Sequence, residues 1–188
     1  MKVKANASVQ SPIEAGLHDA VCYGIVDLGT QENEYQGQKK LQRQAILKFE
    51  LLDEFDDEGK RVIHTQFYNI SLNEKSKFRK HLRNWRGRDF TDAELQEFDV
   101  SNILNTNVVL NIIINEKGRA IIDGTAKYKK DAEKASIPLQ AFDIDDFDGE
   151  FPSYLTEGVI NIIKQSKQYK AKADTVDTKD EYEDDVPF

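Results

Sequence analysis

Cysteine, methionine and tryptophan each occur once in these 188 residues, and histidine occurs three times. A lone thiol, Cys22, excludes an internal disulfide framework and reads as a small buried side chain. His18, His64 and His81 are too scattered to give zinc-ligand spacing. No apolar run approaches the roughly 20 residues of a membrane span, and the opening MKVKANASVQ lacks the apolar core of a secretory signal. A cytoplasmic protein is therefore expected. Also missing are the phosphate-cradling GxxxxGK(S/T), a GxGxxG after a strand, a GxSxG and a metalloprotease helix. With no catalytic constellation in view, the expectation is a non-enzymatic protein without metal or cofactor.

What is present is charge, unevenly placed. The chain holds 26 basic against 34 acidic residues, net −8, and 39% hydrophobic content supports a domain with a real core. Asp174 to Phe188 carries seven Asp or Glu against Lys179, net −6, which leaves the rest near neutral at −2. Against that background Lys75 to Arg88 contains seven Lys or Arg and no acid. A patch of one sign in a chain of the other points to a polyanion partner. Helical spacing puts Phe78, Leu82 and Trp85 on one stripe and Arg79, Lys80, Arg83 and Arg86 on the other side. Ser71 with Glu74 fits a capping box, Gly87 fits the stop, and Thr91 with Glu94 fits a second box opening a short helix.

Strands are expected at 20–28, 44–52, 62–70, 107–115 and 119–128, with Gly29 to Lys40 as a polar loop and Asp53 to Lys60 as an acidic turn. Five short antiparallel strands with helices between the third and fourth match an oligonucleotide-binding (OB) barrel, so the fold class expected is mostly β with inserted helices. Phe142 to Phe151 fails as a calcium loop, because Ile144 and Leu155 stand where carboxylates are required. A last helix is expected within Pro152 to Lys170, with Leu155, Val159, Ile162 and Ile163 on one face. The domain organisation expected is residues 1–170 as an OB domain with an amino-terminal arm, and 171–188 as a disordered acidic tail.

Single-stranded nucleic acid is held by a positive groove that tracks phosphates and by rings that stack on bases. Groove candidates are Lys39, Lys40 and Arg43 on the first loop, Lys48 on the second strand, and Arg79, Arg83, Arg86 and Arg88 on or after the basic helix. Stacking candidates are Tyr23, Tyr35, Tyr128, and one of the alternating pair Phe67 and Tyr68, of which Tyr68 is favoured. Phe49, Phe78 and Trp85 lie on apolar stripes and are expected in the core.

The chain ends Asp184-Asp185-Val186-Pro187-Phe188. An acidic run before an apolar, aromatic terminus reads as a portable peptide ligand: the ring enters a pocket while the carboxylates meet a basic rim. This end resembles the carboxyl-terminal tip of bacterial single-stranded DNA-binding proteins, which recruits replication and repair enzymes. The body, through VDLGTQ (26–31), SLNEKSKFRKHL (71–82) and NWRGRDFT (84–91), resembles a family of bacteriophage single-stranded DNA-binding or replication proteins with an OB-like domain. The likeness runs from about Ala20 to Ala120 and implies a protein that coats single-stranded DNA during replication and recombination in the host cytoplasm and docks replication and recombination proteins through its tip. It leaves homo-oligomerisation open. Two other readings fit the same residues: a strand-annealing recombination protein, and a metal-dependent nuclease using Asp143, Asp145 and Asp148.

Overall fold

A computed structural model describes the backbone of residues 13–177. It is mostly β. Five antiparallel strands, β1 (Gly16–Tyr35), β2 (Gln38–Phe55), β3 (Arg61–Asn69), β4 (Asn107–Ile114) and β5 (Ala120–Lys127), pair in the order β3-β2-β1-β4-β5. A short β6 (Gln140–Phe142) runs parallel to β1. Helices α1 (Lys77–Arg86) and α2 (Asp92–Gln96), followed by a 3-10 turn at Val100–Ile103, stand between β3 and β4 as the sequence predicts. Helices α3 (Glu157–Lys164) and α4 (Lys167–Asp177) follow the sheet. None of the described helices is long and apolar enough to cross a membrane.

The apolar run in β1 cannot alternate, because both of its faces are buried. Ala20, Cys22 and Ile25 join Phe49, Phe78, Leu82 and Trp85 in the main core. Val26 and Leu28 point the other way, into a second core that Phe142, Ile144, Leu155 and Ile163 complete on the far side of the β1–β2 pair. The chain after β5 is thus a covering layer rather than an appendage.

Several boundaries differ from expectation. The expected loop at 29–40 is a continuation of the two strands, paired from Thr30↔Arg43 to Tyr35↔Gln38 around a two-residue turn, Gln36–Gly37, with φ of 51° and 74°. Two positive φ angles are the signature of the primed turn that suits strand twist. Both faces of this ribbon are polar, so it carries no period-two hydrophobic signal. Helix α1 is capped by Ser76, whose Oγ accepts from the Arg79 amide at 3.4 Å, while Ser71 Oγ accepts from the Asn73 amide in a turn before it. Gly87 ends α1 with φ 68°, and the Thr91–Glu94 capping box is formed. The expected final helix is two, interrupted at Gln165–Ser166, and α4 runs past Lys170 to Asp177, into the segment assigned to the tail.

β3 and β5, the two ends of the strand order, are joined by side chains instead of a ladder. The Ile122 amide donates to Gln66 Oε1 at 3.0 Å, and the Ile122 carbonyl accepts from Lys77 Nζ at 2.6 Å. His81 spans the gap, with Nδ1 2.9 Å from Tyr68 Oη and Nε2 3.0 Å from the Asp123 carbonyl. Since a carbonyl only accepts, Nε2 carries the proton and Nδ1 accepts from the tyrosine.

Burial, the largest cause, pulls the His81 pKa below its usual 6.5, and His64 moves the same way for the same reason. The neutral rings therefore contribute stability that is whole above about pH 6.5 and is lost as pH falls through the lower folded values. Urea midpoints are expected to hold level from pH 8 to 7 and to decline below about 6.5, less so in His81→Phe. A wild-type midpoint that stays flat down to pH 5 would contradict this assignment.

Candidate nucleic-acid interface

The basic helix divides as its pattern predicts. Phe78, Leu82 and Trp85 are buried, Trp85 tilted against Phe49 at 5.8 Å and donating from Nε1 to the Asn107 carbonyl at 2.7 Å. The opposite face opens into a cleft of about 530 Å³ in which Lys75, Lys77, Arg79, Lys80 and Arg83 face three carboxylates, Glu74, Asp89 and Asp123. Lys75, Lys80 and Arg83 are exposed. This cleft gathers cations that sequence spacing alone did not separate from their neighbours: Lys75, Lys77 and Lys80 belong to it, while Arg86 and Arg88 do not.

Arg86 lies between Phe90 and Phe98, 4.6 and 5.2 Å from the ring centroids, and is paired with Glu94. Arg88 clamps the same carboxylate with bonds of 2.8 and 2.9 Å. Glu94, bonded chiefly by Arg88 and then by the Thr91 amide, is held down to about 2. These two arginines are therefore occupied in tying α2 to α1. Arg79 is intermediate: it donates to the Leu72 carbonyl at 3.0 Å and stands 3.6 Å from Asp89, yet it still borders the cleft.

Two further groove candidates are covered. Arg43 is surrounded by Asp27, Asp143 and Asp145 at 2.5, 3.5 and 2.8 Å. It sits in a larger cavity of about 1050 Å³ lined by eight carboxylates and no other cation. Phosphate is repelled there. Lys48 donates to Gln140 Oε1 at 2.8 Å and lies 5.7 Å from the Tyr154 ring, under the carboxyl-terminal layer, and this burial lowers its pKa. Lys39 and Lys40 remain exposed on the β1–β2 ribbon, Lys39 bonded to Glu32 at 2.7 Å.

The stacking candidates are largely reassigned. Tyr23 is a bulge residue in β1, 4% exposed, with its hydroxyl pushed up to about 12 by burial and then by Glu50. Tyr68 is 6% exposed and bonded to His81, so it is core. Its neighbour Phe67, on the outward face of β3, is 52% exposed and becomes the available ring. The aromatic pair had to split between faces, but period alone does not say which member turns inward. Tyr128, just after β5, is half-buried, and its pKa rises through burial and the nearby Asp19 and Glu133. Those carboxylates make it a poor neighbour for phosphate. Tyr35 closes β1 opposite Gln38. The tip residues Asp184, Asp185, Val186, Pro187 and Phe188 lie outside the described residues.

Comparison with protein-family models, curated proteins and solved structures finds no match. The functional reading therefore rests on this geometry and on the sequence motifs. Of the carboxylates in the nuclease alternative, Asp143 and Asp145 are paired with the Arg43 guanidinium. Asp148 accepts from the Glu150 amide at 3.2 Å within its own turn.

Proposed function

We propose that the chain is a single-stranded DNA-binding protein of OB type, of the kind phages use in replication and recombination. The observation that carries this reading is the cationic cleft on the outward face of α1, which contrasts with the acidic cavity around Arg43. The strand order supports it: β3-β2-β1-β4-β5, with α1 between β3 and β4, is the order an OB barrel requires, and Gln66, Lys77 and His81 bridge β3 to β5 where such a barrel would close. Phe67 supports it as well, because an exposed ring on β3 offers a base-stacking surface without sequence preference. In this reading the Asp184–Phe188 tip docks replication and recombination proteins.

Fluorescence anisotropy with oligothymidylate and with duplex of equal length, across a salt series, tests the proposal. Preference for the single strand is expected, with affinity falling steeply as salt rises. The Lys80→Glu, Arg83→Glu double variant should bind roughly ten-fold or more weakly, with a shallower salt slope. Equal affinity for duplex, or no effect of the double variant, would refute it.

A further inference from the structure

A second positive surface, sharing no residue with the α1 cleft, is assembled from two parts of the chain remote in sequence. Helix α4 is fastened along the distal half of β1. Gln168 accepts from the Thr30 amide at 2.8 Å and returns a bond from Nε2 to Thr30 Oγ1 at 3.0 Å, while Gln31 Nε2 holds the preceding helix α3 by donating to the Ile162 carbonyl at 3.0 Å. Gly29, at φ 71°, lets the two elements close, since a Cβ there would stand 2.6 Å from Ser166 Cβ. This contact fixes where the cations of α4 go. Lys167 and Lys170 are exposed and near enough to Glu32 to act on its carboxylate, which Lys39 bonds directly. Lys40 is exposed beside Lys39 on the ribbon. Among the described residues Lys40, Lys167 and Lys170 form no ion pair within 4 Å, and Glu32 and Glu34 are the acids of the neighbouring strand.

We infer that the β1–β2 ribbon and α4 form a second phosphate-binding surface, with Lys39, Lys40, Lys167 and Lys170 tracking the backbone of a bound single strand beyond the α1 cleft. This inference rests on the single-stranded DNA reading above. Lysines on flexible stems suit it, because each is a point charge that follows phosphate without reading sequence. The α1 cleft and this lobe share no residue, so a strand engaging both occupies more nucleotides than the cleft alone would cover.

The test is a salt series of oligothymidylate binding to the full chain, comparing wild type, Lys167→Glu with Lys170→Glu, and Lys60→Glu. Lys60 lies on the turn past the opposite end of β2, bonded to Glu58 at 2.6 Å, and serves as the control for a charge reversal away from the lobe, at half the charge change of the double variant. The lobe variant should bind roughly ten-fold more weakly, and its slope of log affinity against log salt should shrink by about 1.4, the value for two phosphate contacts on a single strand. Lys60→Glu should leave the slope unchanged. A lobe variant that binds like the Lys60 control overturns this inference and leaves the α1 reading standing. Tighter binding by the lobe variant also overturns it, because the lobe would then be holding the chain's own acidic carboxyl-terminal residues. If the wild type does not bind oligothymidylate, both readings fall together. Unchanged circular dichroism and melting temperature confirm that these exposed positions have not altered the fold.

Discussion

Glu50→Leu is expected to lower the unfolding free energy by about 3–5 kcal/mol, the range for removing one partner of a buried charged contact. Glu50 is 1% exposed, and its carboxylate is the anchor of the connector that leads from β5 to β6. It accepts from the Ser136 amide and hydroxyl, both at 2.9 Å, and from the Ile137 amide at 3.0 Å, with Arg61 at 3.5 Å. Leucine fills the space but orphans two amides, each costing about 1–3 kcal/mol. Arg61 keeps Glu133, which moderates the loss. Thermal denaturation should show a melting temperature about 10 °C lower, at about 2–4 °C per kcal/mol for a chain of this size. Glu50→Gln, which retains one acceptor oxygen, should lose less. The connector delivers Gln140 to Lys48, so loosening it should also uncover Lys48. A drop of under about 1 kcal/mol would show that the layer is held by the second core alone.

Trp85→Ala should cost a similar amount, about 3–5 kcal/mol from the cavity and lost burial. Trp85 is 6% exposed, packs on Phe49, and gives its indole hydrogen to the Asn107 carbonyl. Trp85→Phe should recover most of the burial and lose about 1 kcal/mol for the missing hydrogen bond. Chemical denaturation of the three proteins checks the ordering. A separate readout connects packing to function. Helix α1 carries both the buried stripe and the cationic cleft, so Trp85→Ala should weaken oligothymidylate binding even where the protein remains folded, and Trp85→Phe should not. If the alanine variant loses less than about 1 kcal/mol, α1 is not anchored through this ring.

Elements with a strong period are legible in the sequence. Phe78, Leu82 and Trp85 recur at helical spacing, and their stripe is buried. The Thr91–Glu94 box is a purely local motif and forms as written. Elements whose placement depends on distant residues are not legible. Nothing near Lys48 in sequence indicates that Gln140 and Tyr154 will lie over it. Arg43 reads as a groove cation until Asp143 and Asp145, a hundred residues onward, close on it. The polar ribbon at 29–40 has no hydrophobic alternation to betray it, although Gln36-Gly37 supplies a glycine where its turn requires one. Tyr68 and Phe67 differ only in which face the register selects, and register is a property of the whole sheet.

The unladdered gap between β3 and β5 sets an order of assembly. Lys77 and His81 cannot reach across it until α1 has coiled, and their partners at Ile122 and Asp123 come more than forty residues later in the chain. During synthesis the amino-terminal strands and α1 therefore exist for a time with the β3 edge unpartnered, a hazard for association with other chains. A lysine, a histidine and a glutamine crossing that edge admit only a strand whose carbonyls and amides fall in matching positions. Closure of that edge is in this sense selective, accepting β5 and discouraging a stranger.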